Sequence, residues 1–190
     1  LVFFEEKMSE IDLLVFSDFN YGVLPQKVVD QLIRLGKLHH VMMVADSQSS
    51  SQIGDISRFS GMDLITPTER EARISTRNHE DGLVVMAEEL RQLSEATNIL
   101  LKLGGEGVLI HADNDEVDGW LTDRVCALNS VSRDVAGAGD SLLIASAMAL
   151  ASGGSIWEAA YIGSLAAAIQ VGRVGNTPIK SEELLQELHL

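Results

Sequence analysis

The segment Asp134-Val-Ala-Gly-Ala-Gly-Asp140 runs directly into Ser141-Leu-Leu-Ile-Ala-Ser-Ala-Met148, so three small residues, Gly137, Ala138 and Gly139, fall where an apolar helix begins. The first N–H groups of a helix have no partner inside it. Without bulky side chains in the way, an anion such as phosphate can come close to them, and the helix dipole adds to the attraction. An acid beside an anion site is electrostatically costly, which makes Asp140 conspicuous. It can accept a proton from a hydroxyl while a phosphate is held next to it. Spacing alone favours a plain glycine-rich turn, with Asp140 as an ordinary acid in the first turn of a helix.

Other segments carry weaker signals. Lys102-Leu-Gly-Gly-Glu-Gly107 joins two apolar runs, and Gly104, Gly105 and Gly107 suit either a tight hairpin or a loop that admits phosphate. Lys102 either pairs with a phosphate or stands solvated at a strand end. Thr68 and Glu71 have capping-box spacing, which leaves Glu71 open to a capping or a metal-linked role. Asp18 and Asp46 follow apolar runs, where they can cap loops. The five His residues, at 39, 40, 79, 111 and 189, lack metal-ligand spacing. Cys126 reads as a small buried apolar group, and Met42 and Met43 as core filling.

These residues need elements to hold them. Continuous apolar runs at 12–17, 41–45, 63–65, 98–101 and 108–110 predict strands covered on both faces, with edge strands at 117–121 and 125–128. Apolar residues at helical spacing predict helices over 25–36, 68–74, 82–96, 139–151, 156–171 and 181–188, the last with Ser181 as its cap, and an amphipathic segment through Phe59. The first helix starts at Pro25 and stops at Gly36. The Ser-rich stretch at 47–51 is a loop at a strand end. Leu1 to Phe4 looks like a helix running into the first strand. Strand, helix, strand is the parallel crossover unit, and its repetition predicts a three-layer α/β/α fold with a mostly parallel sheet, residues 1–190 forming a single α/β domain.

Composition excludes several classes. With 28 acidic against 14 basic residues, the net charge is −14, which would repel nucleic acid or an anionic bilayer. A 46% hydrophobic and 22% charged chain is too apolar for disorder. The single Cys126 can form no internal disulfide, and no apolar run approaches the roughly 20 residues of a membrane span. A cytoplasmic location is expected.

The order of the motifs resembles the ribokinase-like (PfkB) carbohydrate kinases. Asp134 to Asp140 is similar to their C-terminal signature, Thr66-Pro-Thr-Glu-Arg-Glu-Ala72 to their Thr-Pro-Asn-x-x-Glu segment, and Lys102 to Gly107 to their nucleotide loop. Ser164-Leu-Ala-Ala-Ala168 and Gly172-Arg-Val-Gly175 resemble the adenine-side helix and the loop after it. Phe16 to Phe19 and Val44 to Ser47 resemble the kinase half of ADP-heptose synthases, with Gln48 where those kinases tend to carry Lys. Thr68 and Lys102 depart from the family's Asn and Thr.

The resemblance implies a transferase that moves the γ-phosphoryl group of ATP to a sugar or sugar-phosphate hydroxyl, heptose 7-phosphate among the candidates. It implies Asp140 as base, with the amides of Gly137, Ala138 and Gly139 as anion hole. Lys102, Gly104, Gly105, Gly107, Ser164, Ala167 and Gly175 would be at the nucleotide, Asp18 at the sugar, Glu71 near Mg²⁺, and Asp134 near a monovalent cation such as K⁺. The alternatives are a nucleotide-binding module or degenerate kinase without catalysis, or a plain interaction domain. The chain corresponds to the C-terminal, nucleotide-binding portion of such a kinase. The family's N-terminal strands and lid, through which a homodimer forms, are expected upstream of Leu1. This portion alone is therefore expected to bind nucleotide weakly and to catalyse poorly.

Overall fold

Apolar runs without polar alternation must be covered on both faces, and the computed structural model, which describes residues 2–49, 52–113, 119–129 and 131–188, covers them so. Strands β1 (Leu13–Asp18), β2 (Met42–Ser47), β3 (Leu64–Ile65) and β4 (Asn98–Lys102) lie parallel and in sequence order. Strands β5 (Val108–Asp113) and β6 (Trp120–Val125) extend the sheet antiparallel, with Val108 opposite Val125 and Asp113 opposite Trp120.

Seven helices flank the sheet among the described residues: α1 (Val2–Lys7), α2 (Gln26–His39), α3 (Glu69–Thr76), α4 (Leu83–Ser94), α5 (Ala138–Ala151), α6 (Ile156–Val171) and α7 (Ser181–Leu188). On one face Leu32, Ala72, Met86 and Leu90 of α2, α3 and α4 pack with Phe16, Met43 and Ile99. On the other, Leu142, Leu143 and Ala147 of α5 and Ala160 of α6 pack with Val44, Leu64 and Leu100. The three-layer α/β/α expectation holds. No described helix is long and apolar enough to cross a membrane.

Several local expectations are corrected. The two edge strands anticipated near 117–121 and 125–128 are the single strand β6, since Thr122, Asp123 and Arg124 suit a strand whose residues are mostly exposed. Val117 and Asp118, with Ser50, Ser51 and His189, lie outside the described residues. Helix α2 does not stop at Gly36. That glycine is buried, and a Cβ on it would overlap Met43 Sδ. The chain turns instead at His40, in the left-handed region (φ 56°), whose N–H returns to the carbonyls of Gly36 and Lys37. The segment before Phe59 forms only a short 3₁₀ turn, Ile56–Arg58, capped by Asp55. Ser181 lies inside α7, where Glu183 accepts from the Lys180 N–H at 2.8 Å.

The placement of α5 depends on one close approach. A Cβ on Gly163 of α6 would overlap Ser146 Oγ and reach 2.9 Å from the Leu142 carbonyl oxygen. Ser146 Oγ donates to the Ala159 carbonyl across the same contact (2.9 Å). Gly163→Val should lower the unfolding free energy by about 1–3 kcal/mol, the usual cost of overpacking, as read from urea denaturation.

A buried polar cluster ties α4 to β5 and β6. His111, fully buried, faces Glu88 through Nε2 (2.8 Å) and Thr122 through Nδ1 (2.9 Å), and Arg91 pairs with the same carboxylate (2.8 Å). An ionised carboxylate only accepts, so Nε2 carries the proton and the Thr122 hydroxyl donates to Nδ1. Burial would raise Glu88, but hydrogen bonds from Arg91, His111 and Gln92 outweigh it and hold the carboxyl at about 2. Burial pushes the His111 imidazole down, against the pull of Glu88. Both groups bind protons more readily when unfolded. Their stabilisation is therefore complete above the ordinary histidine value of 6.5 and is lost on acidification, the Glu88 share going between 4.5 and about 2. Glu88→Gln should flatten that lower limb in a pH series of melting temperatures.

Candidate active site

In a parallel sheet the carboxyl ends of the strands open on one edge, where ligands of such folds bind. Here Asp18 ends β1, Asp46 and Ser47 close β2, Thr66 follows β3 and Lys102 ends β4. A single parallel bridge joins Thr68 to Lys102, whose N–H donates to the Pro67 carbonyl (2.8 Å). The first turn of α5 comes to the same edge, so that a Cβ on Gly139 would stand 3.3 Å from Lys102 Nζ.

Between these elements lies a cavity of about 270 Å³, close to the lower end of the roughly 300–1,000 Å³ usual for small-molecule sites. Its walls come from the turn between β4 and β5 (Gly104, Gly105, Gly107), the start of α5 (Ala138, Gly139), α6 (Ser164, Ala167) and the segment 126–129. The turn is a hairpin and a cavity wall at once. Gly107 has φ +95°, and a Cβ on it would overlap the Val125 carbonyl oxygen, whereas Gly104 and Gly105 face open space. Lys102 is the one cationic side chain among the lining residues. Ser164, only 6% exposed, has a hydroxyl with no partner, and a buried orphan of this kind costs free energy unless a ligand meets it. Cys126, expected to be buried, is exposed and lines this cavity, because β6 ends at Val125 and leaves it on an open segment.

The N-cap of α5 is Gly137, at φ +77°, where a Cβ would overlap the Asn176 side chain. Of the three amides predicted to face an anion, that of Ala138 already donates to the Val135 carbonyl (3.3 Å), and that of Gly139 belongs to the unpaired first turn. Asp140, half-buried in that turn, lines a second concavity of about 760 Å³ together with Gly137 and Ser141. Its carboxylate makes no hydrogen bond or ion pair within the described residues. The start of α5 thus divides a cavity holding one cation from a concavity holding one free carboxylate. That arrangement can hold an anion and take a proton on adjacent sides of one helix terminus.

The other acids are already committed. Asp46, 2% exposed, accepts from Lys102 Nζ through both oxygens (2.8 and 3.0 Å). Burial pushes its carboxyl up against the pull of Lys102. Lys102 is therefore not a solvated strand-end lysine. Glu71 is buried and completes the capping box with Thr68. Its two oxygens accept from the N–H groups of Ser49 (2.9 Å) and Thr68 (2.7 Å). Asp18 pairs with Arg58 (2.7 Å) and accepts from the Asn20 N–H (3.0 Å). Asp134 accepts from the N–H groups of Ala136 and Gly175 (both 3.0 Å), which hold its carboxyl below the usual range. No described group of three or more His, Cys, Asp or Glu is placed to hold a metal. Sequence reasoning missed Asp46 and Arg58 as partners. The signals for Asp46 were its place at a strand end and its membership of the Val44–Ser47 segment, and for Arg58 there was none.

A family model described as pfkB family carbohydrate kinase matches residues 2–183. The bifunctional protein HldE of Paramagnetospirillum magneticum is 30% identical over 190 residues, covering 97% of this chain and 37% of that protein. The HldE of Helicobacter hepaticus is 28% identical over 185 residues, covering 96% and 36%. The chain thus spans little more than a third of the length of these relatives. Among solved structures, ribokinase from Thermotoga maritima superposes with TM-score 0.78 at 25% identity, over 98% of this chain and 59% of that one. Phosphofructokinase-2 from Escherichia coli in complex with potassium gives 0.77 at 21%, over 96% and 59%.

The loop before α5 is stapled to the loop after α6 by Asp134. Asp134→Ala should speed hydrogen exchange at the amides of Ala136 and Gly175 while leaving the α5 interior protected, as NMR-detected exchange would read.

Proposed function

Because this chain belongs to the pfkB family of carbohydrate kinases, we propose that residues 1–190 form one α/β domain, the C-terminal nucleotide-binding portion of a kinase that phosphorylates a sugar or sugar phosphate from ATP. The observation that carries it is the first turn of α5, with the glycine-walled, Lys102-bearing cavity on one side and the unpartnered Asp140 on the other.

The residues present suit a nucleotide. Side-chain-free walls at Gly104, Gly105 and Gly107 admit it closely, Ala167 offers an apolar surface to a base, and the orphaned Ser164 hydroxyl has a donor and acceptor to give. Gly175, with φ +82°, shapes the loop beside them. Glu71 suits Mg²⁺ only through water, since each oxygen already accepts a backbone N–H, and Mg²⁺ usually keeps several waters. Asp134 would contribute to a monovalent-cation site only together with carbonyls of its loop, both its oxygens being engaged. When bound, ATP and its metal would supply the transferable phosphoryl group and part of the charge neutralisation.

The rest falls to the chain. The amides of Gly137 and Gly139, with that of Ala138 if it leaves Val135, would meet the negative oxygens at the α5 start, where preorganised N–H groups need no reorientation. Asp140 would accept the proton of the acceptor hydroxyl as the oxygen attacks phosphorus. The Asp18–Arg58 pair would bind other hydroxyls of the acceptor. Heptose 7-phosphate is favoured by the likeness of Phe16–Phe19 and Val44–Ser47 to ADP-heptose synthases. The second reading, a module that holds nucleotide without transfer, is favoured by the prior engagement of the Ala138 amide.

Asp140→Asn in the full-length protein separates the two. Turnover, measured as ADP release over a panel of sugars and sugar phosphates, should fall about 10²–10⁴-fold, with ATP binding by calorimetry little changed. A loss of less than about tenfold removes Asp140 from the role, and a wild type that binds ATP without turning over any acceptor favours the module.

A further inference from the structure

The Lys102–Asp46 pair joins the carboxyl ends of β4 and β2. As a stabilising device it is a poor choice, because removing two charges from water costs about as much as their attraction returns, and an apolar pair would hold two strand ends as well. The geometry points elsewhere. Asp46 is nearly inaccessible and accepts from the ammonium through both oxygens. Lys102 retains some exposure, lines the cavity and comes near the α5 start at Gly139. An ammonium carries three N–H donors, and among the described residues Asp46 is its only hydrogen-bond partner. A flexible four-carbon side chain is thereby fixed in one place, with donor capacity left for the cavity that has no other cation.

We propose that Asp46 is a positioning residue that holds the Lys102 ammonium at the α5 end of the cavity, so that the site discriminates between nucleotides by the number of their phosphates. This rests on the nucleotide reading of the cavity. The Gly104–Gly107 wall and the α6 wall can receive a nucleoside and its first phosphate without Lys102. A second and third phosphate would extend toward the α5 start, where one tethered positive charge and the unpaired amides await them. Tethering matters because a lysine free in solution would lose rotamer entropy on engaging phosphate, and one already held by Asp46 has largely lost it.

Calorimetric titration of the full-length protein with AMP, ADP and ATP, each with Mg²⁺, tests this. Wild type should bind ATP and ADP at least about tenfold more tightly than AMP, the scale of one charge-assisted hydrogen bond. Lys102→Met should bring ATP close to AMP while leaving AMP within about twofold. Lys102→Arg should retain most of the preference. Asp46→Asn should also narrow the ATP-to-AMP ratio, and Asp46→Asn added to Lys102→Met should change it no further. In that double variant no buried charge is left alone, and unchanged AMP binding reports a folded site. A ratio that stays at the wild-type value in Lys102→Met, or an Asp46→Asn variant that weakens all three nucleotides alike, overturns the inference. If Asp46→Asn does not fold, the Lys102→Met and Lys102→Arg ratios decide. A wild type that binds none of the three overturns the nucleotide reading as well, which distinguishes that failure from the first.

Discussion

The first turn of α5 offers N–H groups that the helix cannot use, and they could meet an anion only while held at the carboxyl edge of the sheet. What holds them is the packing of α5 on α6. The contact is close because Gly163 presents no side chain to Ser146 and Leu142, and it is locked by the Ser146 hydroxyl on the Ala159 carbonyl. The pair then lies on the apolar face made by Val44, Leu64 and Leu100. A shift along this contact would carry Gly137, Gly139 and Asp140 away from the ends of β2 and β4 together. Packing between two helices thus sets where that terminus stands at the sheet edge.

Around that fixed terminus, charges are sorted by whether they already have partners. A chain of net charge −14 has little long-range attraction for an anion, so any such attraction would have to come from local arrangement. Asp46 and Asp18 are neutralised by Lys102 and Arg58. Glu71 and Asp134 are occupied by backbone N–H groups. Asp140 alone among these acids is left unengaged, as the proposed role of proton acceptor would require.

The layers and most elements were legible because their signals are local. Continuous apolar runs marked the parallel strands, and the Thr68–Glu71 spacing marked a capping box that forms as expected. The grouping of Lys102, Gly104, Gly105, Gly107, Ser164 and Ala167 around one cavity came from motif order rather than from periodicity. What failed was non-local. Gly36 looks like a helix stop in sequence, but its neighbour across the layer is Met43. Cys126 seemed buried by residue type, yet β6 ends one residue before it. Arg58 meets Asp18 across 40 positions, a pairing no spacing rule contains.

The turn between β4 and β5 shows how unevenly a short motif can tolerate sequence drift. Its three glycines look interchangeable as letters. At Gly107 every alternative residue brings a Cβ into the Val125 carbonyl, so no amino-acid replacement is structurally neutral there. Gly104 faces open space but sits at φ +60°, which Asn or Asp tolerate best. Gly105 meets neither restriction. Three glycines of one cavity wall are thus held by three different constraints, one steric, one conformational and one set only by whatever the cavity holds.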